Sequence, residues 1–189
     1  VNQVDSVAFS PDGKLLGTGQ RDGTIKVWRI IDGRLVYALK GHNDKVSAMI
    51  FSLDGKWLIS GSWDKTIKVW RVVNGELINI LQGHSGRVTS IASSPDGKLV
   101  ASGDEGGVIL FWEVKSGIVV KEIHHRLGVE SMAFSPDGRL LACVDGLFLS
   151  LYRVNDGYQL CKLKKGYRAV SVTFSPDGRF LVTGHIPKR

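Results

Sequence analysis

Short segments of alternating apolar and polar residues run the length of this chain, separated by turn residues. Residues 4–9 read Val-Asp-Ser-Val-Ala-Phe, and residues 24–30 and 66–72 alternate in the same way. A period of two is typical of a strand with one face buried. No segment shows the 3.6-residue period of an amphipathic helix, so the sequence predicts an all-β fold.

An Asp-Gly pair recurs with its neighbours at intervals of 42, 42, 41 and 40 residues. The surrounding phrases are FSPDGKLL, FSLDGKWL, SSPDGKLV, FSPDGRLL and FSPDGRFL. Ser-Pro-Asp-Gly suits a type I turn because proline holds φ near −65°, and Leu53 is the one departure from it. Two further turns in each period, such as residues 63–65 and Asn74-Gly75, divide it into four short antiparallel strands.

A four-stranded unit of this size cannot bury both of its faces alone, and stacking such units around an axis gives a β-propeller. The predicted blades span residues 4–40, 46–82, 88–124 and 129–164, with a partial blade at 169–183. This set has unpaired edges, so it is expected to be an incomplete, open segment of a larger propeller. Additional blades of a longer parent chain, or self-association, would cover those edges.

Several residues recur at fixed places in the repeat. Gly41-His42 is followed by Asp64 and by Trp70 at the end of a strand, and Gly83-His84 is followed by Trp112. This spacing resembles the WD-repeat family along essentially the whole chain. The second residue of the family's closing Trp-Asp pair differs here, as in Trp70-Arg71, and that position varies in the family.

The resemblance implies a hydrogen-bonded set of His, Ser or Thr, Asp and Trp that ties the strands of each blade together. The matching residues are Thr18, Asp22 and Trp28 in the first blade, His42, Ser60, Asp64 and Trp70 in the second, and His84, Ser102 and Trp112 in the third. Gly106 takes the Asp position of the third blade. The fourth blade offers His124 or His125, Cys143, Gly146 and Tyr152. Incomplete networks stabilise less, so blades three and four are expected to be looser than blade two.

Candidate catalytic residues have structural explanations in this pattern. His42 and His84 recur with the repeat, which favours a structural role over general-base catalysis. The glycines at 17, 19 and 23 miss the dinucleotide-binding spacing and precede no helix. Cys143 and Cys161 fit no zinc pattern. The sequence therefore predicts no catalytic residues, no cofactor and no metal.

The net charge of +7 is concentrated at one end of the chain. Residues 162–189 contain seven cationic residues and one acid, which leaves a net charge of +1 for the rest. We therefore expect only weak, salt-sensitive nucleic-acid binding. No apolar run reaches the roughly 18 residues that span a membrane, and the two cysteines favour a reducing, cytoplasmic location.

The turns of a propeller lie as rings on its two faces, where binding residues concentrate. On one face Arg21, Trp63 and Glu105 occupy equivalent outward-pointing places, and Lys45, Arg87 and Arg168 occupy another set. A turn has no need of an exposed indole, whereas Trp and Arg are enriched at binding hot spots. These six residues form the candidate partner-binding face.

The leading functional hypothesis is a non-catalytic scaffold or sensor that binds other proteins as part of a larger regulator, as the resemblance implies. One alternative is an anion or nucleic-acid binder that uses the basic segment from Lys162 to Arg168. Another is an accessory propeller of an enzyme.

Overall fold

A computed structural model of the chain describes residues 3–186, apart from the side chains of Lys165 and Tyr167. Within this part the chain forms seventeen strands and no helix. The strands are β1 (Val4–Phe9), β2 (Leu15–Gln20), β3 (Ile25–Arg29), β4 (Leu35–Leu39), β5 (Val46–Phe51), β6 (Trp57–Ser62), β7 (Ile67–Arg71), β8 (Leu77–Leu81), β9 (Val88–Ser93), β10 (Leu99–Asp104), β11 (Val108–Glu113), β12 (Val119–His124), β13 (Ser131–Phe134), β14 (Leu140–Val144), β15 (Gly146–Arg153), β16 (Gln159–Phe174) and β17 (Leu181–Ile186).

Strands that follow one another in the chain lie side by side in four sheets. Three sheets have four strands, in the orders β1-β2-β3-β4, β5-β6-β7-β8 and β9-β10-β11-β12, and the fourth contains β13 to β17. Neighbouring strands run antiparallel, as in the pairs β1–β2 and β6–β7. The predicted all-β fold of four-stranded antiparallel blades is confirmed.

The fourth sheet differs from the others because its long strand β16 pairs with β15 through one half and with β17 through the other. The first half of β16 lies in the predicted blade that ends at residue 164, and its second half lies in the predicted partial blade that begins at residue 169. The backbone runs between them as one strand, and the division into blades stays a prediction.

The chain divides into two compact units, Val1–Ile91 and Ala92–Arg189. The core of the first unit contains the apolar residues of the alternating segments, among them Ile25, Val27, Met49, Phe51 and Trp70. The second unit has one cluster around Ile109, Phe111 and Leu141, and another that contains Val144 and Ala169.

The Asp-Gly turns share one hydrogen-bonding arrangement. In the first, the Ser10 hydroxyl donates to Asp12 at 2.6 Å and accepts from the amide of Leu15 at 2.9 Å. Gly13 has a φ of 67°, in the left-handed region that favours glycine. Ser52 makes the same bond to Asp54 at 2.7 Å although Leu53 replaces proline. The serine and aspartate, more than the proline, therefore define this turn.

One glycine in most repeats lies where the next repeat approaches closely. A Cβ atom at Gly61 would be 2.6 Å from Val88 Cγ1, and Gly19 and Gly103 stand in the same relation to Val46 and Val129. The fourth repeat reverses the sizes, since Val144 and Ala169 occupy the corresponding positions in one buried cluster. Close packing therefore requires one small residue in each such pair.

Candidate functional site

The second sheet contains the fullest copy of the implied polar network. His42 Nδ1 lies 2.8 Å from Asp64 Oδ2, and His42 Nε2 lies 2.9 Å from Ser60 Oγ. With Nδ1–H donating to the carboxylate, Nε2 accepts a hydrogen bond from the Ser60 hydroxyl. The serine oxygen in turn accepts the Trp70 indole N–H at 2.9 Å. The structure thus brings all four residues together in one chain of hydrogen bonds.

Asp64 is the residue on which this network converges. Its carboxylate also accepts hydrogen bonds from the amide of Asn43 at 3.0 Å, the amide of Thr66 at 3.0 Å and the Thr66 hydroxyl at 2.7 Å. Burial raises the pKa of Asp64, but the hydrogen bonds from His42, Thr66 and Asn43 outweigh that effect. The pKa of Asp64 therefore lies well below its ordinary value.

The first sheet contains a smaller set. The Trp28 indole donates to the Thr18 hydroxyl at 3.0 Å, and Thr18 donates to the carbonyl of Lys26 at 3.3 Å. Asp22 accepts from the amide of Thr24 at 3.0 Å, and its pKa is lowered chiefly by this bond.

In the third sheet the Trp112 indole donates to Ser102 at 2.7 Å, and His84 is buried. The Asp position predicted there is Gly106, but a buried acid lies two residues earlier. Asp104 accepts hydrogen bonds from the amides of Gly106 at 3.0 Å and Val108 at 2.8 Å. The sequence analysis missed Asp104 because the spacing of the repeat placed the acid at residue 106.

The fourth sheet corrects two assignments made by spacing. His125, rather than His124, is the buried histidine, and its Nε2 lies 2.8 Å from Asp145 Oδ2, which makes Asp145 rather than Gly146 the acid. The Tyr152 hydroxyl lies 2.5 Å from His125 Nδ1, so the phenol takes the place of the Ser–Trp pair. His124 is exposed beside Glu122.

Burial sets the protonation of this group. It lowers the pKa of His125, raises that of Tyr152 to about 12 and raises that of the Cys143 thiol. The imidazole is therefore neutral near pH 7 and the thiol is protonated. His125 and Asp145 have almost no contact with solvent, so no substrate reaches them, and the arrangement favours a structural role. Whether blades three and four are looser than blade two stays a prediction.

The turn that joins β6 to β7 carries Trp63, and two cations flank its indole. Lys45 Nζ lies 4.8 Å and the Arg87 guanidinium 4.6 Å from ring centroids of Trp63, and both distances fit cation–π contacts. The indole is half-buried rather than fully exposed as the sequence suggested. Three of the predicted face residues are thus brought together by strands that are distant in the chain.

An acid that the sequence did not single out supports this cluster. The Asp5 side chain is buried and its Oδ1 lies 2.9 Å from Lys45 Nζ. Arg21, another predicted face residue, approaches Asp5 Oδ2 at 3.6 Å. Asp5 therefore helps to fix the position of Lys45 at the Trp63 ring.

The remaining predicted face residues lie in the second unit. Glu105 is exposed in the turn that joins β10 to β11. Arg168 Nη2 lies 2.5 Å from Glu130 Oε1, so this cation forms an ion pair at the surface.

Among residues 3–186, no three His, Cys, Asp or Glu side chains are grouped to hold a metal ion. The described part of the chain also contains no helix long and apolar enough to cross a bilayer. Both cysteines are free thiols.

Comparison with known proteins agrees with the repeat. The family described as WD domain, G-beta repeat, matches residues 1–29, 33–71, 75–113, 117–148 and 158–185. A WD repeat-containing protein of Nostoc sp. is 42% identical over 48 residues, which is 25% of this chain and 3% of that protein.

Two fungal proteins match over a similar length. The general transcriptional corepressor TUP1 of Saccharomyces cerevisiae is 44% identical over 43 residues, 23% of this chain and 6% of that protein. The ribosome biogenesis protein ERB1 of Chaetomium thermophilum is 44% identical over 43 residues, 23% of this chain and 5% of its own length. The matched segments thus cover only a few per cent of these relatives. Because the family match extends over five segments and most of the chain, this protein belongs to the WD-repeat family, whose repeats typically serve as non-catalytic scaffolds for protein interactions.

Proposed function

We propose that this chain is a non-catalytic scaffold that binds a protein partner through the turns around Trp63. The observation that carries the proposal is the contact of the Trp63 indole with both Lys45 and Arg87. Trp and Arg are the side chains most often found at binding hot spots, and here they are held in place before any partner arrives. The names of the fungal relatives, a corepressor and a ribosome biogenesis protein, favour a role in assembly.

The arrangement also indicates how the surface would work. Each cation that flanks Trp63 is drawn toward a ring face, so the indole restricts the conformations of Lys45 and Arg87. Restricting long side chains in advance reduces the entropy lost on binding. Arg21, which is exposed beside Asp5, extends the same surface.

We expect Trp63→Ala to weaken partner binding by about 2 kcal/mol, the size typical of a hot-spot residue. The same change should lower the free energy of unfolding by about 1 kcal/mol, because two cation–π contacts at a half-exposed site are lost. The partner is the protein that co-purifies with the wild-type chain from its source. Its affinity for the two chains, measured by calorimetry, together with urea unfolding of each, gives both quantities.

Tyr158→Ala is the matched control, because it removes an exposed aromatic ring that has its own cation contact, to Arg153, outside the Trp63 surface. It should leave the affinity for that partner unchanged. Equal affinity of wild type and Trp63→Ala, with both chains folded, would remove Trp63 from the binding surface.

Nucleic-acid binding through the basic segment is the alternative. The geometry favours it less, since Lys162 Nζ lies 4.2 Å from the centre of the Phe148 ring and Arg168 is paired with Glu130. Partner capture that disappears after nuclease treatment, or affinity that falls steeply with salt, would favour this alternative over a protein partner. An accessory propeller of an enzyme would be recognised from a catalytic domain in the same polypeptide.

We propose further that β1 presents an apolar face to a second copy of the chain or to another blade. Phe9 and Val7 are exposed there, whereas Phe51 and Met49 at the same places in the next repeat are buried. Phe9 is 65% exposed and Phe51 only 6%. In the second repeat other strands pack over these positions, whereas in the first repeat the apolar side chains are exposed. The exposed face is therefore suited to packing against another strand or blade.

We expect the purified 189-residue chain to self-associate through this face, and Phe9→Asp to abolish the association. A carboxylate placed in an apolar interface must be desolvated without a partner. Sedimentation over a range of concentrations measures the effect. Ile31→Asp, which changes an exposed apolar residue in a turn, is the control. A wild-type chain that remains monomeric at high concentration would contradict the prediction.

We also propose a reducing, cytoplasmic location, supported by the free thiols of Cys143 and Cys161.

A further inference from the structure

A cavity of about 520 Å³ lies in the first unit, at the end of the second sheet away from Trp63. The turn that joins β6 to β7 carries Trp63, whereas the turns joining β5 to β6 and β7 to β8 border the cavity. Successive turns of an antiparallel sheet lie at opposite ends of its strands. The cavity is therefore separate from the partner-binding face proposed above.

The walls of the cavity are mainly apolar and are fixed in place. Val36 and Tyr37 of β4 form one side, and Trp57, Val72 and Val73 form the other. The Tyr37 hydroxyl donates a hydrogen bond to the Val73 carbonyl at 2.6 Å, which connects the two sides. The volume falls within the range of small-ligand sites, about 300–1,000 Å³.

The apolar lining is not repeated at the corresponding place in the second unit. A smaller cavity of about 330 Å³ lies at the corresponding place in the second unit, beside Arg139, Arg153 and Asn155. There Asn155 stands where the first unit has Val73, and Leu140 stands where it has Trp57. The repeat itself therefore does not require the indole or the apolar residue at position 73. Val73 is nevertheless 78% exposed, a position where a polar residue would cost nothing in packing.

Two charged side chains line the cavity, and both are cations: Lys56 and Arg71. Lys56 Nζ lies 3.5 Å from Asp54, and Arg71 Nη1 lies 3.4 Å from Glu76. All four side chains are substantially exposed to solvent, and ion pairs in such positions contribute little. A carboxylate from a ligand can therefore replace Asp54 or Glu76 at small cost.

We propose that this cavity is a second protein-binding site, which accepts a bulky apolar side chain from an extended segment of a partner. An aspartate or glutamate next to that side chain in the partner pairs with Lys56 and Arg71. The apolar walls select the large side chain, and the two cations select the acid beside it. The site does not depend on the binding of any partner to the Trp63 surface.

The test uses the 189-residue chain and a synthetic peptide, acetyl-Gly-Asp-Leu-Phe-Asp-Gly-amide. Nuclear magnetic resonance follows the methyl groups of Val36 and Val73 and the indole N–H of Trp57 during titration. We expect these signals to shift in a saturable way. A peptide with lysine in place of both aspartates should bind at least about tenfold more weakly, because it presents like charges to Lys56 and Arg71. A peptide with alanine in place of Leu-Phe should also bind more weakly.

Val73→Glu should weaken binding of the Asp-Leu-Phe-Asp peptide at least about tenfold, because it places a carboxylate where the apolar side chain must enter. The matched control is Ile31→Glu, which changes the equivalent turn residue of the preceding repeat, 90% exposed and outside the cavity. Lys56→Glu and its equivalent, Lys14→Glu, form a second pair that tests the charge requirement. Trp63→Ala should leave peptide binding unchanged, so this site and the proposed scaffold surface are tested separately.

The proposal is overturned if the three reporter groups do not shift at millimolar peptide. It is also overturned if Val73→Glu and Ile31→Glu weaken binding equally, or if the lysine peptide binds as well as the aspartate peptide. Octanoate serves as a further probe. Saturable binding of octanoate at lower concentration than the peptide would identify a small-molecule site in place of a protein-binding site.

Discussion

Replacing Gly61 by valine is expected to lower the free energy of unfolding by about 3 kcal/mol, the upper part of the range for overpacking a core. A Cβ atom at this position would lie 2.6 Å from Val88 Cγ1 and 2.8 Å from Ile91 Cδ1. Both contacts are far inside van der Waals distance, and Val88 is fully buried. The strands on either side must therefore move apart or Val88 must leave its rotamer. Urea unfolding of the two chains measures the loss.

The double variant Gly61→Val with Val88→Ala is the matched test, because it reproduces the arrangement of Val144 and Ala169 in the fourth repeat. We expect it to be more stable than the sum of the two single changes predicts, with a coupling of roughly 1–3 kcal/mol. Val88→Ala alone should be destabilising, since it leaves a cavity. If the effects of the two substitutions on the free energy of unfolding are additive, the size of the residue at position 61 does not depend on the residue at position 88.

The exchange between Gly61–Val88 and Val144–Ala169 illustrates what the sequence could and could not predict. The repeat, the strands and the Asp-Gly turns were readable because each depends on residues close together in the chain. The small residue at position 61 faces a valine 27 positions later, and only the packing of neighbouring sheets shows why it must be small. The spacing of residues in the repeat does not reveal the contact between Gly61 and Val88.

The fourth sheet shows a second limit. Carrying the repeat over by position placed Gly146 in the acid position, six residues before Tyr152 as Asp64 is six before Trp70, but β14 and β15 are joined through Asp145 alone, whereas β6 and β7 are joined by four residues. A shorter turn moves the acid one place toward the N-terminus while its carboxylate still reaches His125. The spacing between the acid and its neighbouring strands changed, but the hydrogen bond between the acid and the buried histidine is kept. The residue type therefore identifies the acid better than its position in the repeat does.

The same limit applies to Trp63. The sequence indicated a turn, and an indole in a turn suggested an exposed binding residue. Its neighbours Lys45 and Arg87 come from the segments before β5 and β9, and both make cation–π contacts with the ring. Asp5, which holds Lys45, comes from yet another strand. Which surface side chains support one another follows from the tertiary structure.

Asp64→Ala is expected to lower the free energy of unfolding by about 1–3 kcal/mol, because it leaves buried donors without an acceptor. The change removes the acceptor of the His42 imidazole, of the Asn43 amide and of both Thr66 donors. His42 is fully enclosed, so water cannot easily replace the carboxylate. The effect should exceed that of Trp63→Ala, although the two residues are adjacent in one turn.

The acid dependence of stability provides an independent measure of the same carboxylate. Because the pKa of Asp64 is lower in the folded chain than its ordinary value near 3.9, its stabilising effect is complete above that value and is lost as the pH falls through and below it. Part of the wild-type loss of stability between pH 5 and pH 2 should therefore be missing in Asp64→Ala. Asp22→Ala, the equivalent change in the first repeat, is the control and should have a smaller effect, since the Asp22 carboxylate is exposed. Urea unfolding at both pH values distinguishes the variants. If Asp22→Ala and Asp64→Ala lose the same stability at neutral pH, the His42 network does not stabilise the second sheet, and the turn around Trp63 must be held by its cation contacts instead.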